Sequence, residues 1–370
     1  MSFPKVIAVV ACLVIPSASA HAGHPALDLL PEAYRSKVAD QLAKAGDNAS
    51  NLANAIVQAP PEQREAVGFL VANMPEGDLK TLGSEYLLSN VRHAYLAREA
   101  TSWGRKIPDE LFFEDVLPYV SINERRDDWR KDFYDRFLPI ARQSATPSEA
   151  VKRLNVEVFK TFNVAYHATK RPKPDQSPYE SVKAGYASCT GLSILLIDAC
   201  RAVGIPARMV GTPRWTDNSG NHTWVEVWDR EWSFVGACEP SQLNEGWFLD
   251  KAAKADETKP EYRIYAVSFK TTDTHFPMVW KRSAQDVPAE DVTRRYTRRR
   301  RVTFQAPGAS GEITIRQNGN LVAQDRIADA TTFHLPGDLP YEVQIKKADG
   351  AKIVRTITLS SEPDQMIEVK

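Results

Sequence analysis

Cysteine is scarce in this chain, with four thiols in 370 residues at positions 12, 189, 200 and 238. So few cannot staple a protein of this size, and a hydrophobic core must hold it. Glycine is sparse too. The 18 glycines never group as a phosphate-cradling loop, so P-loop and dinucleotide-binding chemistry are not expected. No charge sign dominates, because Lys+Arg and Asp+Glu both number 47. That balance argues against nucleic-acid binding and against attraction to an anionic membrane. Beyond the first twenty residues no apolar run approaches the roughly 20 residues needed to span a bilayer, so no membrane span is expected.

What is present suits a folded chain. A composition 43% hydrophobic and 25% charged excludes collagen-like, low-complexity and wholly disordered classes. Length alone favours two or three domains at roughly 100–200 residues each. Residues 1–20 read as a secretory signal peptide. Lys5 gives a positive start, residues 6–15 are apolar, Pro16 breaks the run, and Ala18-Ser19-Ala20 offers small residues for cleavage. Val9-Val10-Ala11-Cys12 faintly resembles a lipoprotein box, but the apolar residues continue past Cys12. An exported, periplasmic or secreted protein is therefore expected. Processing would leave Cys189, Cys200 and Cys238, an odd count that keeps at least one thiol unpaired. Cys200 and Cys238 are either a disulfide pair or two buried thiols.

Residues 31–143 read as helical, with apolar spacings of three and four over 33–45, 62–72, 85–99 and 128–137. Thr146-Pro147-Ser148-Glu149 is a helix start, with a capping hydroxyl, proline in the first turn and Glu three positions on. That helix is predicted to reach Phe162. A proline-rich loop spans 170–180. A second helix over 190–203 places Leu192, Leu195, Leu196, Ala199 and Val203 on one face and stops at Gly204 and Pro206. Strands are predicted at 207–211, 222–228 and 232–235, with Asp229-Arg230 as a hairpin turn. From Arg301 the pattern becomes short alternating strands at 302–305, 312–317, 321–327, 341–346 and 352–358. These suggest a β-sandwich of roughly seventy residues. Between them, 283–301 carries Arg294, Arg295 and Arg298 to Arg301. It reads as a solvated linker or as a patch for a protein partner.

The chemistry concentrates at Cys189. It sits just before a helix, among small residues in Gly185-Tyr186-Ala187-Ser188-Cys189-Thr190-Gly191. Unpaired N–H groups and partial positive charge at a helix start favour a thiolate and an oxyanion. Cys200 fits a buried apolar thiol instead. His222 opens a strand thirty-three positions later, in Asn221-His222-Thr223-Trp224-Val225-Glu226-Val227-Trp228. A helix-borne Cys and a strand-borne His meet in this order in papain-like folds, where the His takes and returns the proton. Tyr186 and Asn163 are candidate oxyanion donors. Trp215, Trp224 and Trp228 either wall a substrate cleft or pack in the core. Zinc is not expected. The cysteines lack paired spacing, and an eleven-residue helical step sets Cys189 and Cys200 about 16 Å apart.

At these residues the sequence resembles the transglutaminase-like superfamily. The matching pieces are Ser188-Cys189-Thr190-Gly191-Leu192-Ser193, then Arg201-Ala202-Val203-Gly204-Ile205-Pro206-Ala207-Arg208, then His222-Thr223-Trp224-Val225-Glu226-Val227. The core resemblance covers about 150–270. Upstream, Leu117-Pro118-Tyr119, Glu124 and Trp129-Arg130 look like exported members of the group. The resemblance implies Cys189 as nucleophile and His222 as base. The family's third residue is an Asp before a Pro on the next strand. Here the stretch Trp232-Ser233-Phe234-Val235-Gly236-Ala237-Cys238-Glu239-Pro240 has no Asp, and Glu239 is the stand-in, given a bulge at Gly236-Ala237. Its task would be to orient the imidazole. Glu226, on the same strand as His222, faces either the site or a salt bridge.

The expected fold is α+β. A papain-like, transglutaminase-like core (146–282) follows the signal peptide (1–20) and an N-terminal helical region (21–145). A basic linker (283–301) leads to a small C-terminal β-sandwich (302–370). The expected site uses Cys189, His222 and Glu239 for catalysis and Tyr186, Trp215 and Trp224 for substrate, with no cofactor and no metal. The expected activity cleaves or transfers amide acyl groups of peptides or other amide polymers, with hydrolysis favoured over amine transfer. A catalytically silent envelope scaffold with a protein partner on the β tail is the competing expectation.

Overall fold

The chain's helices come first. This computed structural model describes residues 25–369, so the signal-peptide reading and Cys12 lie outside the described residues. Helices α1 (Glu32–Ala45), α2 (Ala49–Gln58), α3 (Arg64–Asn73), α4 (Ser84–Ala100) and α5 (Arg130–Ala141) build the N-terminal region. All but α2, which has no predicted span of its own, lie within a few residues of their predicted spans, because the three-and-four apolar spacing marks a buried stripe. Helix α6 (Pro147–Phe162) starts as its sequence dictates. The Thr146 hydroxyl accepts from the Glu149 amide and Glu149 accepts from Ala145 N. It ends at Asn163, whose φ of 49° takes the left-handed turn.

A short helix α7 (Pro178–Ala184), closed by a Ser177–Glu180 capping box, leads to α8 (Cys189–Ala202). The sequence predicts one apolar face on α8. In the structure every residue from Thr190 to Ala202 is buried, because α5, α6 and the sheet enclose the helix on several sides. The helix stops at Gly204, which combines a φ of 74° with a backbone approach that would bring a Cβ to 3.0 Å from Ala97 O. Only glycine meets both demands. Two buried arginines satisfy backbone carbonyls packed around the helix, while Asp198 and Ser193 on α8 have side-chain oxygens without a partner. Arg201 donates to the Asp115, Ala207 and Val120 carbonyls, and Arg130 to those of Val116, Leu117 and Pro118.

The core sheet follows α8. Strands β1 (Ala207–Thr212), β2 (His222–Asp229) and β3 (Glu231–Val235) run antiparallel, and Arg230 makes the hairpin turn with φ 69°. Beyond β1 lie β4 (Tyr265–Val267), β5 (Thr274–His275) and β6 (Pro288–Asp291).

The stretch read as a solvated linker is folded instead. It carries β6 and a short helix α9 (Thr293–Thr297). Arg294 and Arg298 pair with Glu257, and Arg295 pairs with Glu226 at 2.7 Å. Acidic partners distant in sequence claim the arginines, which local charge counting does not see.

The tail holds β7 (Arg299–Gln317), β8 (Asn320–Pro336), β9 (Pro340–Lys347), β10 (Lys352–Thr358) and β11 (Asp364–Glu368). Sequence patterning splits β7 in two at a Gly-containing stretch. The structure keeps it continuous and bends it. Gly308 (φ 73°) donates to Asp329 Oδ1, and Asp329 (φ 64°) marks a register shift in β8. The first half of β7 pairs with β11 and the second with β9, so one hairpin serves both halves of a single apolar core around Phe304, Ile315, Phe333 and Val343. The strand order is β10-β9-β7-β8-β3-β2-β1-β4-β6-β5. Tail and core join through one register pair, Ala323↔Glu231, so the continuous sheet is thin at that seam. The architecture is the expected α+β arrangement, helical first and β-rich last.

Candidate functional site

Cys189 is the first residue of α8 and is half-buried. The first helical bond runs from Leu192 N to Ser188 O, which leaves the amides of residues 189–191 without an intrahelical partner. Behind the cysteine, Tyr186-Ala187 forms a short parallel ladder with Ala165-Tyr166 that fixes the approach to the helix.

The start of α8 is tied to the start of β2. The Thr190 and Thr223 hydroxyls share a buried 3.2 Å hydrogen bond, one residue after the cysteine and one after the histidine. Strand alternation turns Thr223 toward α8 and His222 to the other face. The His222 imidazole is 6% exposed and packs among Trp215, Trp224, Trp247 and Phe248, with ring centroids 4.8–6.2 Å away. Its Nε2 has no hydrogen-bond partner, and no hydrogen bond joins the imidazole to Cys189. Burial alone pushes the His222 pKa down to about 4. The ring is therefore neutral at pH 7, and its burial resists protonation.

Glu239 lies past β3. The β2–β3 pairing keeps a constant register, Val225↔Val235 through Val227↔Ser233. Extended by three residues it sets position 238 opposite His222, with Glu239 beside it. The ladder stops at Val235 and the chain turns. Asn155 fastens the turn, donating to Gly236 O and Glu239 O and accepting from Cys238 N. A Cβ on Gly236 would collide with the Glu239 carboxylate. Glu239 is not hydrogen-bonded to His222. Its Oε1 accepts from Trp247 Nε1 at 2.9 Å. Burial pushes its pKa up, and the indole N–H pulls the other way.

The remaining candidates are placed as follows. Trp224 is fully buried, and its Nε1 donates to the Tyr296 hydroxyl, so it backs the histidine and cannot touch substrate. Trp215 is 3% exposed and stacks on Trp224 with planes 9° apart. Both are corrections to the substrate-binding reading, and their cause is the aromatic packing that fills the space behind His222. Trp228 packs edge-on against Trp232 in the core. Tyr186 is half-exposed and stays near the cysteine, its ring 5.8 Å from His167. Asn163 is a helix cap. Glu226 forms buried ion pairs with Arg208 and Arg295. Cys189, Cys200 and Cys238 are all free, so the disulfide alternative does not hold; burial pushes the Cys200 thiol pKa up. A cavity of about 870 Å³ opens at the Glu226 end, lined by Asp115, Arg208, Trp232 and Glu290 among others, and by none of Cys189, His222 or Glu239.

Sequence reasoning missed Trp247 and Phe248, which cover the imidazole, and Tyr296, which links Trp224 to Glu226. The Trp-Phe pair after Gly246 was a usable signal, being two large aromatics in an otherwise polar loop.

Residues 138–247 match the transglutaminase-like superfamily, so the chain carries a transglutaminase-like domain. The matched segment holds α6, α8 and β1–β3, and ends on Trp247. A search of curated proteins gives no match. Among solved structures the chain is similar to one described as "a Putative Cysteine Protease from Cytophaga hutchinsonii". The two share 18% identity, and the match covers 30% of this chain and 38% of that chain at a TM-score of 0.26. This chain thus spans well under two thirds of that structure, and at that score the likeness carries no argument.

Proposed function

We propose that this chain is an exported cysteine-dependent enzyme that hydrolyses amide bonds in peptides or other amide polymers. Cys189 is the nucleophile, His222 the base, and Glu239 the residue that positions the imidazole. The thiol proton passes to the imidazole as Sγ attacks the amide carbonyl carbon. Amides at the start of α8 receive the oxyanion. The C–N bond breaks, the imidazolium returns its proton to the leaving amine, and an acyl-enzyme remains. Water then attacks the thioester, again losing a proton to the imidazole, and releases a carboxylic acid and the thiol. An amine in place of water gives acyl transfer. Hydrolysis is favoured because export sets the site in water.

The observation that carries this reading is the Thr190–Thr223 hydrogen bond, which pins the cysteine's helix to the histidine's strand. Burial disfavours the imidazolium, so the base role needs the site to open or Glu239 to reach the ring. A non-catalytic scaffold is the second reading, and two observations favour it: His222 lies on the face of β2 opposite Thr223 and α8, and the imidazole bonds to neither Cys189 nor Glu239. Iodoacetamide labelling at neutral pH tests the pair. The enzyme reading expects residue 189 to alkylate at least tenfold faster than in the denatured chain, and Cys189→Ala to lose all turnover found on a peptide library. Labelling at the denatured rate removes the activated nucleophile and leaves the scaffold.

A further inference from the structure

One indole touches both groups that should orient each other. Trp247 is 60% exposed, yet its ring lies 4.8 Å from His222 and its N–H engages Glu239. An exposed tryptophan that is also hydrogen-bonded to a half-buried carboxylate is held by few other contacts and can leave. If it leaves, Glu239 loses its partner and His222 loses its outer cover. Glu239 follows the turn after β3, beside the position that the extended β2–β3 register sets opposite His222, and the Trp247 indole bridges the two. The rest of the imidazole's surroundings is aromatic, and no charged group contributes to its shift. Glu239 is thus the carboxylate placed to answer it.

We propose that Trp247 is a positioning residue that keeps the site in a resting form: its indole covers His222 and engages Glu239, and a substrate segment that displaces the indole lets Glu239 turn and accept a hydrogen bond from the imidazole. Substrate binding then assembles the site, and the displaced indole offers an apolar wall to an extended peptide. This rests on the catalytic reading of His222 and Glu239, but the test needs no turnover.

The test follows the His222 ring proton by NMR through a pH titration of the full chain. Trp247→Phe keeps the ring and removes the N–H. The released carboxylate should bond the imidazole and raise the His222 midpoint by at least one pH unit. Glu239→Gln in the Trp247→Phe background should return it to the wild-type value. Trp247→Ala should raise the midpoint as well, partly by hydration, so only the Glu239-dependent share counts. An unmoved midpoint in Trp247→Phe, or an equal rise with and without Glu239, overturns the proposal. Because the readout is a titration, its failure is distinguishable from absence of amidase activity.

Discussion

Two titratable residues on one face of β2 are treated in opposite ways. Glu226 is 1% exposed and saturated. It accepts from Arg208, Arg295 and the Tyr296 hydroxyl at 2.7–3.0 Å. Burial alone would push its carboxyl up, but Arg295, Arg208 and Tyr296 hold it below the ordinary range. His222, four residues back, is nearly as buried, and its Nε2 has no hydrogen-bond partner. Trp224 lies between them, stacked on the histidine and bonded through Tyr296 to the glutamate. A satisfied buried charge fixes structure. A buried imidazole left unsatisfied costs stability, and such costs persist mostly where chemistry uses the group. The same strand is thus an anchor at one end and a reactive site at the other.

The sharpest way to break that comparison is His222→Phe. Phenylalanine suits an aromatic cage and has no proton to exchange. Turnover should fall roughly 10²–10⁴-fold, the range for loss of a general base, with thermal stability at pH 7 unchanged or raised. A melting loss matching that of the glutamate variant below would mean His222 is structural.

The next largest effect belongs to Glu226→Gln. It strands Arg208 and Arg295, and breaking one side of a buried pair costs about 3–5 kcal/mol. Arg208 keeps Glu290 at 3.5 Å, so the lower end is expected. Urea unfolding measures it. The surviving folded fraction should alkylate at Cys189 as the wild type does. A neutral substitution would show that the network contributes nothing to stability.

The anchor and the site differ also in how far the sequence disclosed them. Helix α6 was legible to the residue because its start is local chemistry, a threonine, a proline and a glutamate in four positions. Cys189 and His222 were legible because a cap position and a strand start are local as well. Glu226 was read as facing the site or a salt bridge, and the choice and its partners were not legible, since Arg208 and Arg295 reach it from 18 positions before and 69 after. The arginines of 294–298 looked solvated for the same reason. The tail's bent strands hid behind a Gly that usually ends a strand and here only curves one. Trp247 was missed because its two contacts arise from a turn after β3 whose course the register alone does not set.

The smallest predicted effect separates the two ends by pH. His222's folded value, about 4, lies below its ordinary 6.5. Between those values the unfolded chain takes up a proton that the native one refuses. The contribution is therefore intact above pH 6.5 and is lost as pH falls toward 4, by about 3 kcal/mol in all. Glu226, also lowered, keeps its contribution above its ordinary 4.5 and loses it only at more acid pH. Urea unfolding of wild type and His222→Phe from pH 8 to 4 isolates the histidine, because every other group cancels in the difference. The variant should gain on the wild type across 6.5 to 4 and hold constant above. A flat difference means that the imidazole finds a proton-stabilising partner in the native state, which would place Glu239 on His222 even at rest.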